Sequence, residues 1–192
     1  MRNLALLVLV AMVTLSCGSS TQKEKRAEKS CCSVEDNQQA FLKNLASLCG
    51  KSFGGRENFT LDGRDSWAHK KFVMHVTVCE DDKVYIPFHL DEDRSRTWMF
   101  IMEEKGLRFR HDHRHEDGTP EDQTLYGGYA DESGSAFMQS FPWDSYTEEL
   151  LADGIERMWR VIIAEDLSSM KYQLHYGGEL VFEAEFDLTK PI

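Results

Sequence analysis

Phe72-Val73-Met74-His75-Val76-Thr77-Val78-Cys79-Glu80-Asp81-Asp82-Lys83-Val84-Tyr85-Ile86-Pro87-Phe88-His89-Leu90 decides the fold. Its apolar side chains fall on Phe72, Met74, Val76 and Val78, then on Val84, Ile86, Phe88 and Leu90. Successive side chains of an extended chain point to opposite faces, so a period of two marks strands with one buried face. The acidic pair Asp81-Asp82 between the two runs predicts the turn of an antiparallel hairpin.

Upstream the period is different. Ser33-Val34-Glu35-Asp36 has the form of a helix cap with an acidic first turn, and Phe41, Leu42, Leu45 and Leu48 follow at helical spacing before Gly50. This predicts one amphipathic helix of about 14 residues. Downstream, strands are expected over 96–103 and 107–115, joined at Glu104-Lys105-Gly106, then over 123–129, 136–141, 158–165, 171–176 and 180–188. A short helix is expected over 146–153, and the pairs Gly127-Gly128 and Gly177-Gly178 fit tight bends at strand ends. The fold class is mainly β. It is an antiparallel meander closing into a lipocalin-like barrel of about 8–10 strands behind one N-terminal α-helix, and closure removes exposed edges. A barrel of about eight strands holds one small ligand.

Arg2 precedes an apolar run over 4–13 and small residues ending at Ser16-Cys17. That run is too short to span a bilayer, which takes roughly 20 residues, and reads as a signal peptide over 1–16. Cys17 sits where a bacterial lipobox places its acylated cysteine, although the position three before it is Thr14 rather than leucine. The alternative is an ordinary cleaved signal and a free periplasmic protein. Gly18 stands where an aspartate would hold a lipoprotein at the inner membrane. The expected location is therefore the bacterial cell envelope, anchored by lipid to the outer membrane, with the side left open. Residues 17–32 lack the apolar content to order themselves and read as a flexible tether, leaving 33–192 as a single domain.

With 33 acidic and 22 basic residues the chain carries a formal net charge of -11, which argues against nucleic acid as a partner. The expected partners are the membrane, through the anchor, and a small-molecule ligand. An oxidising envelope permits disulfides among Cys31, Cys32, Cys49 and Cys79. Cys49 and Cys79 lie in patterned segments and are the favoured pair, with two buried free thiols as the alternative. A bridge between the neighbours Cys31 and Cys32 would be strained.

The strongest chemical signal is His111-Asp112-His113-Arg114-His115-Glu116-Asp117-Gly118. On a strand His111, His113 and His115 share a face with Leu107 and Phe109, and the apolar start of that face turns it inward. Histidines two apart lie about 7 Å from each other, close enough to grip one divalent metal such as zinc, whereas His111 and His115 lie about 13 Å apart. A metal centre would need an adjacent pair completed from another strand, and His75, His89, Glu103 or Glu116 are candidates. The competing readings are a hydrogen-bonded ladder of buried imidazoles and direct contact with an organic ligand. Arg94 and Arg96, among Asp91, Glu92 and Asp93, are candidates to clamp a carboxylate or phosphate, against the plainer reading of a solvated turn with local ion pairs. The acidic stretch 116–122 lacks the alternating oxygen ligands of an EF-hand. No Gly-x-Ser-x-Gly elbow, His-Glu-x-x-His, phosphate-binding loop or dinucleotide fingerprint is present.

The motifs Leu48-Cys49-Gly50-Lys51-Ser52-Phe53, Ile86-Pro87-Phe88-His89, Asp93-Arg94-Ser95-Arg96-Thr97-Trp98 and the histidine string resemble an uncharacterised family of secreted bacterial proteins. The resemblance implies export and supplies no reaction. Likeness to lipocalin barrels rests on the Gly50-Lys51-Ser52-Phe53 opening and the meander, without the tryptophan usual at that opening. Two functions from different classes follow. The first is a non-enzymatic envelope protein holding a small or metal-chelated ligand near His111, His113 and His115. The second is a metal-dependent or acid-base hydrolase using those histidines with Asp112, Glu116 or Asp117. An open coordination position beside a carboxylate favours chemistry, whereas a closed hydrogen-bonded ladder favours binding.

Overall fold

Ser33 starts the first element described by the structure, a computed structural model covering residues 33–192. The expected signal peptide and tether, with Cys17, Cys31 and Cys32, lie outside the described residues. The Ser33 hydroxyl accepts from the Asp36 N–H at 3.1 Å while Asp36 accepts from the Ser33 N–H at 3.0 Å, a reciprocal cap that opens helix α1 (Val34–Ala46). Phe41, Leu42 and Leu45 on its inner face are fully buried.

The rest of the chain is a mainly antiparallel β meander: β1 (Ser52–Thr60), β2 (Phe72–His75), β3 (Val78–Cys79), β4 (Lys83–Leu90), β5 (Asp93–Glu103), β6 (Gly106–His113), β7 (Tyr126–Tyr129), β8 (Met138–Pro142), helix α2 (Ser145–Leu151), β9 (Arg157–Ile163), β10 (Ser169–Tyr176) and β11 (Glu179–Pro191). They form one sheet in the order β7-β6-β5-β4-β2-β1-β11-β10-β9-β8, with β3 paired to β4. Neighbours in sequence are neighbours in space, and β1 pairing with β11 carries the sheet around until its ends, β7 and β8, nearly meet. Among the described residues no helix is long and apolar enough to cross a membrane.

Backbone contacts bridge the gap between those ends. Asp131 donates its N–H to Ser140 O at 2.9 Å and Asp144 donates to Gly127 O at 3.0 Å, while the buried Thr147 hydroxyl accepts from Gly127 N–H at 2.7 Å. The approach is too close for any side chain. A Cβ on Gly128 would lie 1.7 Å from Pro142 O, and Gly127 has φ +151 with Phe109 O 2.0 Å from where its Cβ would be.

Inside, the alternation read from 72–90 holds on both strands: Phe72, Met74, Val84, Ile86, Phe88 and Leu90 are all buried. Helix α1 closes one end. Gln38 Oε1 accepts from Leu107 N–H at 2.8 Å, Asn44 donates to Ala136 O at 2.8 Å, and Phe41 meets Phe100 with ring centres 6.1 Å apart.

Two strand expectations are corrected. The run over 72–80 breaks after His75, because Val76 turns its N–H to Lys51 O and Cys79 is drawn into a disulfide with Cys49, just past α1, with a Cα separation of 6.1 Å. Closing a loop across 30 positions of sequence restricts the unfolded chain by about 3–4 kcal/mol. The run over 107–115 stops at His113, after which Arg114 bridges to Pro120 around the exposed Asp117-Gly118 turn. Strand β1 was not expected, since only Phe53 in it is buried.

Gly128→Ala should destabilise the domain by about 3 kcal/mol or more, roughly 6–12 °C in Tm for a chain of this size, because backbone and not a movable side chain occupies the Cβ position. Gly54→Ala, where a Cβ meets nothing within 4 Å, should stay within about 0.5 kcal/mol. Thermal unfolding of the two variants checks this, and equal melting temperatures would show that closure tolerates a side chain.

Candidate ligand-binding site

The register of β5 on β6 builds the site. Phe100 faces Phe109, Trp98 faces His111 and Arg96 faces His113, so one inward row runs from aromatic residues near α1 to polar ones at the opposite mouth. Near α1 the interior is filled: Phe100 stacks on Phe109 at 4.7 Å, and Phe141 lies against both. Toward the mouth it opens into a cavity of about 270 Å³. Phe88, Trp98 and Tyr172 lie in a parallel stack at 4.9 and 4.8 Å along its wall, with Tyr126 and Trp159 beside His111.

His111 is only 4% exposed and both its nitrogens are engaged. Nδ1 lies 3.3 Å from Tyr126 O, and a carbonyl only accepts, so Nδ1 carries the proton. Nε2 therefore accepts a hydrogen bond from the Tyr172 hydroxyl at 2.9 Å. Burial, with smaller repulsion from His113 and Arg110, lowers the His111 pKa to about 3, so the ring is neutral. Burial likewise raises the Tyr126 hydroxyl to about 12 and Tyr172 well above its ordinary value. Tyr126 OH lies 3.0 Å from His113 Nε2, whose other nitrogen is 3.8 Å from Glu121. Burial and then Arg96 also push His113 below the ordinary histidine value.

The mouth is basic. Arg96 pairs with Asp93 and lies 5.8 Å over the Trp67 ring. Burial would raise Asp93, but hydrogen bonds from Ser95 and Arg96 override it and hold the carboxyl at about 2. Arg157 pairs with Asp153 and lies 4.8 Å over Tyr176, and Arg64 lies over the same ring at 4.8 Å. Asp65 is the one acidic residue in the lining.

The sequence candidates divide. His111, His113 and Arg96 line the cavity, whereas His115 is exposed on the turn past β6, where its N–H bonds to Thr119 O. His75 and His89 point outward from β2 and β4 and bond to each other at 2.9 Å, with Ser52 Oγ 2.6 Å from His75. Arg94 borders a surface groove beside them. The five histidines expected to ligate a metal therefore do not form one centre, because strand alternation and the early end of β6 send them to three places. Among the described residues no three His, Cys, Asp or Glu side chains are grouped to hold a metal ion. The acids named with the histidines also face elsewhere: Asp112 pairs with Arg114 at 2.8 Å, and Glu116 and Asp117 are exposed on the turn. Tyr126, Tyr172, Arg64 and Arg157 join the site without having been among the sequence candidates, and Trp159 lines it as an aromatic of the core or pocket wall. The signal for Trp159 and Tyr172 lay in the same period-two alternation, since both are inward positions of β9 and β10. No protein-family model, curated protein or solved structure matches the chain.

An unfolded histidine takes up a proton near pH 6.5, and the folded His111 refuses it until about pH 3. Its contribution to stability is complete above pH 6.5 and is lost as pH falls toward 3, at about 1.4 kcal/mol per pH unit. His111→Gln, which can still donate to Tyr126 O and accept from Tyr172, should have a shallower loss between pH 6 and 4 by about that slope. Denaturant titrations of both proteins across this range measure it, and parallel slopes would mean that His111 titrates normally.

Proposed function

We propose that this chain is an exported lipoprotein, anchored through Cys17 in the outer membrane of a bacterial envelope, whose barrel holds a small organic ligand in the mouth cavity without transforming it. One observation supports this most: the barrel is closed by α1 at one end and unfilled at the other, leaving a 270 Å³ cavity with aromatic walls and a few convergent polar groups. The imidazole of His111 supports binding over chemistry. Its lone pair is occupied by Tyr172, its proton by a carbonyl, and it cannot readily become charged. A general base needs a free lone pair within reach of substrate. The resemblance to secreted bacterial proteins fits the same placement.

Chain purified under non-denaturing conditions and then denatured should release a near-stoichiometric small organic molecule by mass spectrometry. Ala184→Phe, which places a ring into the cavity wall, should lose that molecule while keeping the wild-type circular dichroism spectrum. Stoichiometric zinc that disappears with His111→Gln and His113→Gln would overturn the reading in favour of a metal site.

Cys17→Ser should move the chain from the detergent phase to the aqueous phase after phase separation of cells making it. Retention in the detergent phase would locate the anchor elsewhere.

A further inference from the structure

We infer that the cavity takes a small organic anion with a flat ring system, its ring held among the aromatic walls and its charge at the mouth. This rests on the ligand-binding reading above and names the ligand class for the same site. Size comes first: sites for drug-sized ligands run to roughly 300–1,000 Å³, so a 270 Å³ cavity takes something smaller. Shape comes from the walls: Phe88, Trp98 and Tyr172 are stacked on one another, so a ligand packs beside that stack rather than into it, and with Trp67, Trp159 and Phe182 also in the lining it meets rigid aromatic surface suited to a flat partner.

The ionised groups of the lining are three guanidiniums, Arg64, Arg96 and Arg157, against one carboxylate, Asp65, in a chain whose formal net charge is -11. Asp93 and Asp153 lie just outside the lining but offset the charge of Arg96 and Arg157, so the uncommitted guanidinium is that of Arg64. Among the described residues Arg64 pairs with no carboxylate, and it lies over the Tyr176 ring. A guanidinium stacked on a ring keeps its N–H edge free to receive a carboxylate.

The cavity floor fixes the orientation. His111 stays neutral and the hydroxyls of Tyr126 and Tyr172 stay protonated at neutral pH, so no group there balances a buried charge. An ion pushed to the floor would lose its hydration without compensation, whereas at the mouth it meets arginine and solvent.

The test is calorimetric titration of the purified chain with three probes: 2-naphthoate, which has ring and charge; 2-naphthamide, which has the ring alone; and decanoate, which has the charge alone. The expected result is that naphthoate binds at least about tenfold more tightly than either other probe, and that Arg96→Gln and Arg64→Gln each weaken it roughly tenfold while changing naphthamide far less. Arg64 is exposed, so its variant tests the charge without risk to folding. Equal binding of naphthamide overturns the anionic claim, and equal or tighter binding of decanoate overturns the ring, each leaving a ligand-binding cavity intact. Heat from none of the three, with no organic molecule released from the purified chain, removes the ligand-binding reading and this inference together.

Discussion

Where β7 meets β8 the sheet has no ladder, only Asp131 to Ser140, Asp144 to Gly127 and the Thr147 hydroxyl between them. That seam constrains everything inside it. A barrel has an interior only if its last strand comes back to its first, and here the return requires two backbones to approach where no Cβ fits. Gly127 is opposite Arg110, and the neighbouring Tyr126 is opposite His111. The same short strand that seals the barrel therefore brings Tyr126 O to the His111 ring.

With the wall closed, α1 determines which end is solid. Its Phe41 reaches Phe100, and Gln38 satisfies the Leu107 N–H that the turn before it leaves free. The stacked Phe100 and Phe109 fill the width of the barrel at that level, and one layer up the register delivers Trp98 and His111 instead. Polar groups at that depth are costly unless bonded, at roughly 1–3 kcal/mol for each one left without a partner. The Tyr126 carbonyl, His111 and Tyr172 satisfy each other in series, each donor meeting one acceptor, so the layer is polar in composition yet carries no net charge.

The fold was legible because the deciding evidence is local. Alternation in 72–90 and helical spacing in 34–48 each follow from one periodicity, and those residues are buried as their pattern requires except Val78, which lies past the break after His75 and is half-buried. Strand β1 was illegible for the opposite reason: with two glycines and polar residues around a single buried Phe53, it is a strand because β2 and β11 flank it. The site was half legible. Alternation placed His111 and His113 inward correctly, but it assumed that the strand ran on to His115, and the turn at Asp117-Gly118 takes that residue out of register. His75 and His89 match by residue type alone, since their strands bury the other parity. Arg157 shares the inward parity of Trp159 on β9, whereas Arg64 carries no such signal, because it sits in the loop after β1 and reaches the site only over Tyr176, far along the chain.

The acidic body and the arginines at the mouth together determine what kind of anion the cavity can favour. At physiological ionic strength charges are screened beyond about 8 Å. A compact monoanion seated at the mouth therefore feels chiefly Arg64, Arg96 and Arg157 with the carboxylates of Asp65, Asp93 and Asp153 beside them, and what favours it there is the Arg64 guanidinium edge that no carboxylate occupies rather than the chain's total of -11. A long polyanion cannot be confined in that way. Its charges would extend over an exterior carrying the excess of acidic residues, and each would meet repulsion that the mouth does not offset. Selection for a small, singly charged ligand thus requires no further device: an opening with one uncommitted guanidinium in a negative surface discriminates by how far the ligand's charge extends.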